Sequence, residues 1–277
     1  MIGADGQLGQ ALSKIPDEDV ETIALGRADL DITNWQKVKA ALEMIRPNVV
    51  VNAAAYRNHL CDENPKMAEL VNFTGQQYVS EACKLVGSRS IYISTDYVFN
   101  GKISKNERYS PSDLPDPLSI YGKTKLMGEE VTLSTSNQNA VVRVATLFGF
   151  PGLNSRPSFV ATISDKISVG EKPKVINSLT MSPTFAEDAS RFVVDAAKRE
   201  FSGIAHGNNE GAVTFYELAE FVAKHMGHRD KVEKLSDIEV DTTRPCNSAM
   251  WGTSSVYEMP DWQAGVARYL DIKAGLV

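Results

Sequence analysis

Hydrophobic and polar positions alternate between two rhythms along the first 150 residues. Continuous apolar runs at Val20 to Leu25, Pro47 to Ala55, Ser90 to Phe99 and Ala140 to Ala145 have the length and β-branched content of buried strands. Between them, at Asn34 to Ile45, Met67 to Val86 and Gly122 to Leu133, apolar residues recur three and four apart, which predicts helices. Leu126, Val131 and Leu133 are the expected core face of the third helix. Asn72 breaks the pattern of the second, as a polar group that either bridges to the sheet or faces solvent. Strand and helix in strict succession imply an α/β fold with a doubly wound parallel sheet.

Beyond residue 150 the pattern loosens. Pro151, Gly152, Asn154 and Pro157 mark a loop, followed by a helix at Phe159 to Val169, a short strand at Lys174 to Ile176 and a helix from Phe185 to Arg199. A further helix, Thr214 to Met226, opens on a capping pattern of Thr214 with Glu217. This divides the chain into 1–150 and a smaller α/β part, 151–277, with a segment near 174–199 returning to the first.

Composition narrows the class. A 43% hydrophobic and 23% charged chain of 277 residues can bury a sizeable core, and a net charge of -6 argues against a nucleic acid or membrane surface as partner. Cys61, Cys83 and Cys246 lack metal-ligand spacing and read as free thiols of a reducing, cytoplasmic compartment. No metal spacing links His59, His206, His225 and His228, and the last two read as exposed. No apolar run reaches a membrane span.

Chemistry concentrates in two places. The strand at Ser90 ends in hydroxyls, Ser94-Thr95-Asp96-Tyr97, and Tyr121 and Lys125 follow four apart on a helix, so both face one point. A ketone that accepts hydride builds charge on oxygen; a phenol can protonate it while a threonine hydroxyl holds the carbonyl. An ammonium about 4 Å from the phenol would favour phenolate by roughly 4 kcal/mol at an effective dielectric near 20. The spacing recurs at Tyr269 and Lys273, but no hydroxyl-tipped strand precedes it, and a surface pair is expected there.

The second place is Gly3-Ala4-Asp5-Gly6-Gln7-Leu8-Gly9, where glycines allow a tight turn and close approach of backbone to a pyrophosphate. Only Met1 and Ile2 stand before it, so the first strand is either very short or truncated, and its neighbours are at risk of standing unpaired. The second run ends at Gly26-Arg27 with no immediate acid, which points to NADPH over NADH, against the plainer reading of Arg27 as a surface charge. Arg244, in the loop Thr242 to Ser248, can take a phosphate through two bonds or be an ordinary surface cation.

These motifs, with Leu30-Asp31-Ile32-Thr33, Arg46-Pro47, Val51-Asn52-Ala53-Ala54-Ala55, Tyr97-Val98-Phe99-Asn100-Gly101, Ser182-Pro183-Thr184 and Arg244-Pro245, resemble nearly end to end the extended short-chain dehydrogenase/reductases, specifically the dTDP-4-dehydrorhamnose reductase group. The resemblance implies a Rossmann-type fold and reduction, by NADPH, of the C4 ketone of a nucleotide-linked 4-keto-6-deoxy sugar. It implies that Thr95, Tyr121 and Lys125 are catalytic, with Lys125 also on the nicotinamide ribose. Gly3, Asp5, Gly6, Gln7, Leu8, Gly9, Arg27, Asp31, Ala53, Ala54 and Ala55 would surround the dinucleotide, and Asp96, Tyr97 and Arg244 would contact the sugar nucleotide. Family members often place an aromatic residue just after the arginine of the next strand; here the run is Arg143-Val144-Ala145-Thr146.

A second reading comes from the same family. The regulatory β subunit of methionine adenosyltransferase is similar in its Tyr-Gly-Lys-Thr-Lys stretch, binds NADP and serves another enzyme. Thr95 favours the reductase, since the regulatory subunit resembles Ser-Ser-Asp-Tyr at that point. The first reading allows a homodimer, the second a complex with a methionine adenosyltransferase catalytic subunit.

Overall fold

The computed structural model describes residues 1–153, 156–228, 231–235 and 243–276; Asn154 and Thr242, read above as loop residues, lie outside these. The glycine-rich turn runs into α1 (Gln7–Leu12), and α2 (Trp35–Ile45) is capped by the Asn34 side chain, which accepts the Lys37 N–H. Then come β1 (Val49–Asn52), α3 (Asn58–Cys61), α4 (Pro65–Glu69), a π-helical turn at Leu70–Thr74, α5 (Gly75–Val86), β2 (Arg89–Thr95), α6 (Ile120–Thr135) and β3 (Ala140–Val144).

Four strands form the main sheet, all parallel, in the order β1, β2, β3, β8 (Gly203–His206), with β8 supplied from beyond residue 200. Ile2 extends it past β1, bridging to Asn52 on one side and to Leu25 on the other. The Ile2 N–H donates to Val51 O at 2.8 Å, the Ala53 N–H to Ile2 O at 3.0 Å, and the Leu25 N–H to Met1 O at 2.9 Å. Met1 and Ile2 thus pair with main-chain groups of Leu25, Val51 and Ala53, and Ile2 is buried. From Ile2 the chain moves outward to Leu25, then returns to β1 on the opposite side. That reversal opens a crevice between the glycine-rich turn and the end of β1.

The run from Val20 to Leu25 is not the buried strand its apolarity predicts. Only Leu25 forms a bridge, because Met1 to Ala4 is too short a partner for more, and Ile23 stays 44% exposed.

The remaining chain gives β4 (Leu147–Phe148), α7 (Phe159–Ser168), β5 (Lys174–Ile176), β6 (Thr180–Met181), β7 (Thr184–Phe185), α8 (Ala186–Lys198), then β8, β9 (Val213–Thr214), α9 (Phe215–His225), β10 (Glu233–Leu235) and α10 (Trp262–Lys273). The capping box of Thr214 and Glu217 is formed in full. Helix α8 buries Ala189, Phe192, Val193 and Ala196 with Leu8 and Leu12 of α1 and with β3. Helices α2 and α5 cover the other face through Val38, Leu42, Val79 and Ala82. A separate cluster joins Phe148, Phe185, Leu218, Val222, Val266 and Tyr269.

Three further expectations are corrected. The helix read at Met67 to Val86 is interrupted by the π-helical turn, which buries Asn72. Of the expected core face of α6, Leu126 packs against the cluster of Val98 and Phe99, whereas Val131 and Leu133 are only half-buried and the buried positions are Gly122, Thr124, Lys125, Gly128, Glu129 and Thr132. Helices of this composition bury polar groups only where each finds a partner. Tyr269 is no surface residue: it lies in the C-terminal cluster, 2% exposed, edge-on to Phe148, while Lys273 pairs with Asp165. Among the described residues no helix is long and apolar enough to cross a membrane.

Candidate active site

Strand β2 delivers Thr95 at its carboxyl end, and a tight 3-10 turn, Asp96–Val98, follows at once. Helix α6 begins beside that turn, its first N–H groups capped by Ser119, whose side-chain oxygen accepts the Gly122 N–H at 3.0 Å. The approach is close enough to require glycine: a Cβ on Gly122 would lie 2.2 Å from Tyr97 O. Tyr121 and Lys125, one turn apart on α6, are thereby pressed against the hydroxyl end of β2.

Thr95 Oγ1 donates to Asp96 Oδ1 at 3.0 Å, and the Tyr97 N–H donates to Thr95 Oγ1 at 3.2 Å. The Tyr121 phenol lies close enough to both Thr95 and the buried Asp96 to feel them. Burial pushes the phenol above its ordinary range, the Asp96 charge pushes further, and Thr95 opposes both. The phenol is thus protonated at neutral pH, as a proton donor must be. Burial raises Asp96 to about 6, against the influence of Ser248, its bond to Thr95 and the field of Arg244.

Lys125 is placed differently from the sequence expectation. Its Nζ donates to Ile93 O at 2.6 Å and stands 3.9 Å from the centre of the Tyr92 ring, so its bond among the described residues goes to the strand and not to the phenol. Burial lowers its pKa to about 7, with the Glu129 charge opposing. The ammonium expected to pull Tyr121 toward phenolate is not among the influences on the phenol, which desolvation dominates.

Sequence reasoning passed over several residues that build the site. Asn72 was noticed without a role: its Oδ1 accepts the Tyr56 N–H at 2.7 Å and its Nδ2 donates to Thr124 Oγ1 at 3.1 Å, tying the loop after β1 to α6. The buried Cys61 thiol, raised to about 11 by desolvation, lies near enough to feel Lys125 and to act on Tyr121. Ser248, from a loop more than a hundred residues away, lines the same cleft as Asp96 and is near enough to lower its pKa.

Beyond Asp96 a cleft is lined by Tyr97, Thr180, Phe215, Arg244 and Ser248. Arg244 Nε donates to Tyr97 Oη at 3.0 Å, and the guanidinium lies 5.7 Å from the Phe215 ring centre, so this cation is anchored at the cleft instead of lying free on the surface. Thr146, just past the end of β3, also lines the cleft, with a left-handed φ of 33° unusual for a β-branched residue.

The crevice of the sheet reversal lies on the other side. Gly3 has φ +88° and packs so tightly on the loop after β1 that a Cβ would stand 2.6 Å from Ala54 N. The half-buried Ala53 and Ala54 and the exposed Ala55 line its far wall, and Gly152 closes on the backbone of Asp5 and Gly6. A narrow cleft of backbone and methyl groups at a sheet reversal fits a dinucleotide. Gln7, Leu8 and Gly9 form the first turn of α1. Arg27 is exposed, and Asp31 accepts both the N–H and the hydroxyl of Thr33, which hold its carboxyl below the usual range.

The sequence matches the model of the RmlD substrate binding domain over residues 1–274. The chain belongs to the RmlD family. Within it, the chain is 31% identical to dTDP-4-dehydrorhamnose reductase of Mycobacterium tuberculosis over 284 residues, covering 98% of this chain and 91% of that protein. It is 32% identical to dTDP-4-keto-6-deoxy-D-glucose reductase of Streptomyces niveus, covering 82% and 78%. Among solved structures, dTDP-4-dehydrorhamnose reductase of Bacillus anthracis in complex with NADP superposes with a TM-score of 0.89 at 28% identity, over 97% of this chain and 96% of that one. The RmlD fold thus extends over both the crevice and the cleft.

Proposed function

We propose that this protein reduces the C4 ketone of a nucleotide-linked 4-keto-6-deoxy sugar, with NADPH as reductant. The observation that carries the reading is Tyr121 on α6 held beside Thr95 and the buried Asp96 at the end of β2, between the glycine-rich turn and the cleft lined by Tyr97 and Arg244. The RmlD relatives with reductase names, one of them solved with NADP, support the same reading and favour it over the regulatory-subunit alternative.

NADPH supplies the hydride. Thr95 orients the ketone oxygen by donating the hydrogen that it now gives to Asp96, and the Tyr121 phenol donates its proton to that oxygen as charge develops. Lys125 holds the nicotinamide ribose from beneath, its ammonium released from Ile93 O or shared with it. Asp96 and Tyr97 hold sugar hydroxyls, and Arg244 takes the diphosphate from the far end of the cleft. Gly3 to Gly9 and Ala53 to Ala55 enclose the dinucleotide.

The test is NADPH consumption by purified protein given freshly prepared dTDP and UDP forms of the 4-keto-6-deoxy sugar. Consumption abolished by Tyr121→Phe supports the reading and shows the preferred base. Dinucleotide binding without consumption, together with one-to-one or one-to-two recovery of a methionine adenosyltransferase catalytic subunit, would replace it by the regulatory role.

A further inference from the structure

The stretch that bridges to Ile2 at Leu25 carries no acid of its own just after that bridge, yet an acid is present there. Gly26 has no side chain, and the space one would enter is filled from across the crevice: a Cβ on Gly26 would lie 2.6 Å from Asp5 Oδ1 and 2.7 Å from Asp5 Oδ2. Asp5 is fixed in that place, since its Oδ2 accepts the Arg27 N–H at 2.7 Å. The other backbone donor of the turn is also taken, with the Gly26 N–H donating to Asp29 Oδ2 at 2.8 Å. Asp31, the acid that the sequence suggests for the dinucleotide, is committed instead to Thr33.

This arrangement bears on how the adenosine end of a dinucleotide is read. An acid at this point accepts the two ribose hydroxyls of NADH, whereas the 2'-phosphate of NADPH needs donors and positive charge. Both N–H groups that could serve the phosphate are capped by carboxylates, and the exposed Arg27 guanidinium is the cation at the turn itself. We propose that Asp5, reaching over from the glycine-rich turn, takes the place of the missing acid, accepts the adenosine ribose hydroxyls and admits NADH to a site where Arg27 favours NADPH. The inference rests on the reading that the crevice holds a nicotinamide dinucleotide.

The experiment is calorimetric titration of the full chain with NADH and NADPH at fixed ionic strength, which needs no turnover. Asp5→Asn keeps an oxygen for the Arg27 N–H and removes the charge; the ratio of NADH to NADPH dissociation constants should rise about tenfold, the effect of one nearby charge at a partly solvated site. Arg27→Ala should move the ratio the opposite way. A ratio unchanged within about twofold in Asp5→Asn, with both dinucleotides still bound, overturns the role of Asp5 and leaves the reductase reading standing.

Should the variant fail to fold, the unaltered protein still decides. Affinities for 5'-AMP and adenosine 2',5'-bisphosphate within about tenfold of each other support the assignment, and a preference for the bisphosphate above about a hundredfold overturns it. Unaltered protein that bound none of these ligands would remove the reductase reading and this assignment together.

Discussion

Glu129 and Arg143 form a two-bond ion pair inside the protein: Nε donates to Oε1 at 2.9 Å and Nη2 to Oε2 at 2.7 Å, with side chains 2% and 1% exposed. The pair joins α6, one turn beyond Lys125, to β3, and so holds the catalytic helix on the sheet. Glu129→Ala should cost about 3 to 5 kcal/mol in urea unfolding, because it strands a buried guanidinium. Replacing both residues by Met should recover most of that loss. A single substitution costing under about 1 kcal/mol would show that the pair does not anchor the helix.

Tyr121→Phe removes one hydroxyl from a packed ring that lies edge-on to Tyr97 at 5.9 Å. Turnover should fall by about 10² to 10⁴ with dinucleotide affinity nearly intact, read by single-turnover kinetics alongside calorimetry. Turnover at the unaltered level would assign the proton to another group.

Asp96 predicts a dependence of stability on pH. Its pKa rises from 3.8 in the unfolded chain to about 6 when buried, so the folded state holds its proton more tightly across that window. Stability should therefore fall as pH rises from about 4 to 6, and Asp96 should subtract roughly 3 kcal/mol above that window. Asp96→Asn should flatten this slope and raise the melting temperature at neutral pH while weakening substrate binding. Identical slopes for variant and parent would place the titration elsewhere.

Lys125 predicts proton uptake on ligand binding. With its pKa near 7, much of it is neutral just above neutrality in the free protein. Ribose hydroxyls accepting from the ammonium would raise that value, so dinucleotide binding slightly above pH 7 should take up part of a proton. Calorimetry in buffers of different ionisation enthalpy reads this directly. Enthalpies independent of buffer, or a buffer effect that persists in Lys125→Met, would refute it.

What the sequence determined by itself is local in origin. Apolar runs separated by helical periods fixed an α/β parallel sheet, since period and run length depend on near neighbours. The capping pair Thr214 and Glu217 and the glycines of the first turn marked element starts, because a cap or a positive φ constrains residues within one turn of itself. Tyr121 and Lys125 were legible for the same reason: residues four apart on a helix share a face whatever the helix packs on.

Tertiary structure decided everything that turns on distant partners. Met1 and Ile2 find their main-chain partners because Leu25 and Val51 close on them from both sides. The buried face of α6 is polar because Ile93, Asn72 and Arg143 are there to receive Lys125, Thr124 and Glu129. Tyr269 and Lys273 repeat the catalytic spacing, yet Tyr269 is buried in the C-terminal cluster and Lys273 pairs with Asp165. Asp5 meets Gly26 across 21 residues of chain. Burial and charge at a point are sums over whatever the fold brings within a few ångströms, and no local pattern contains that sum.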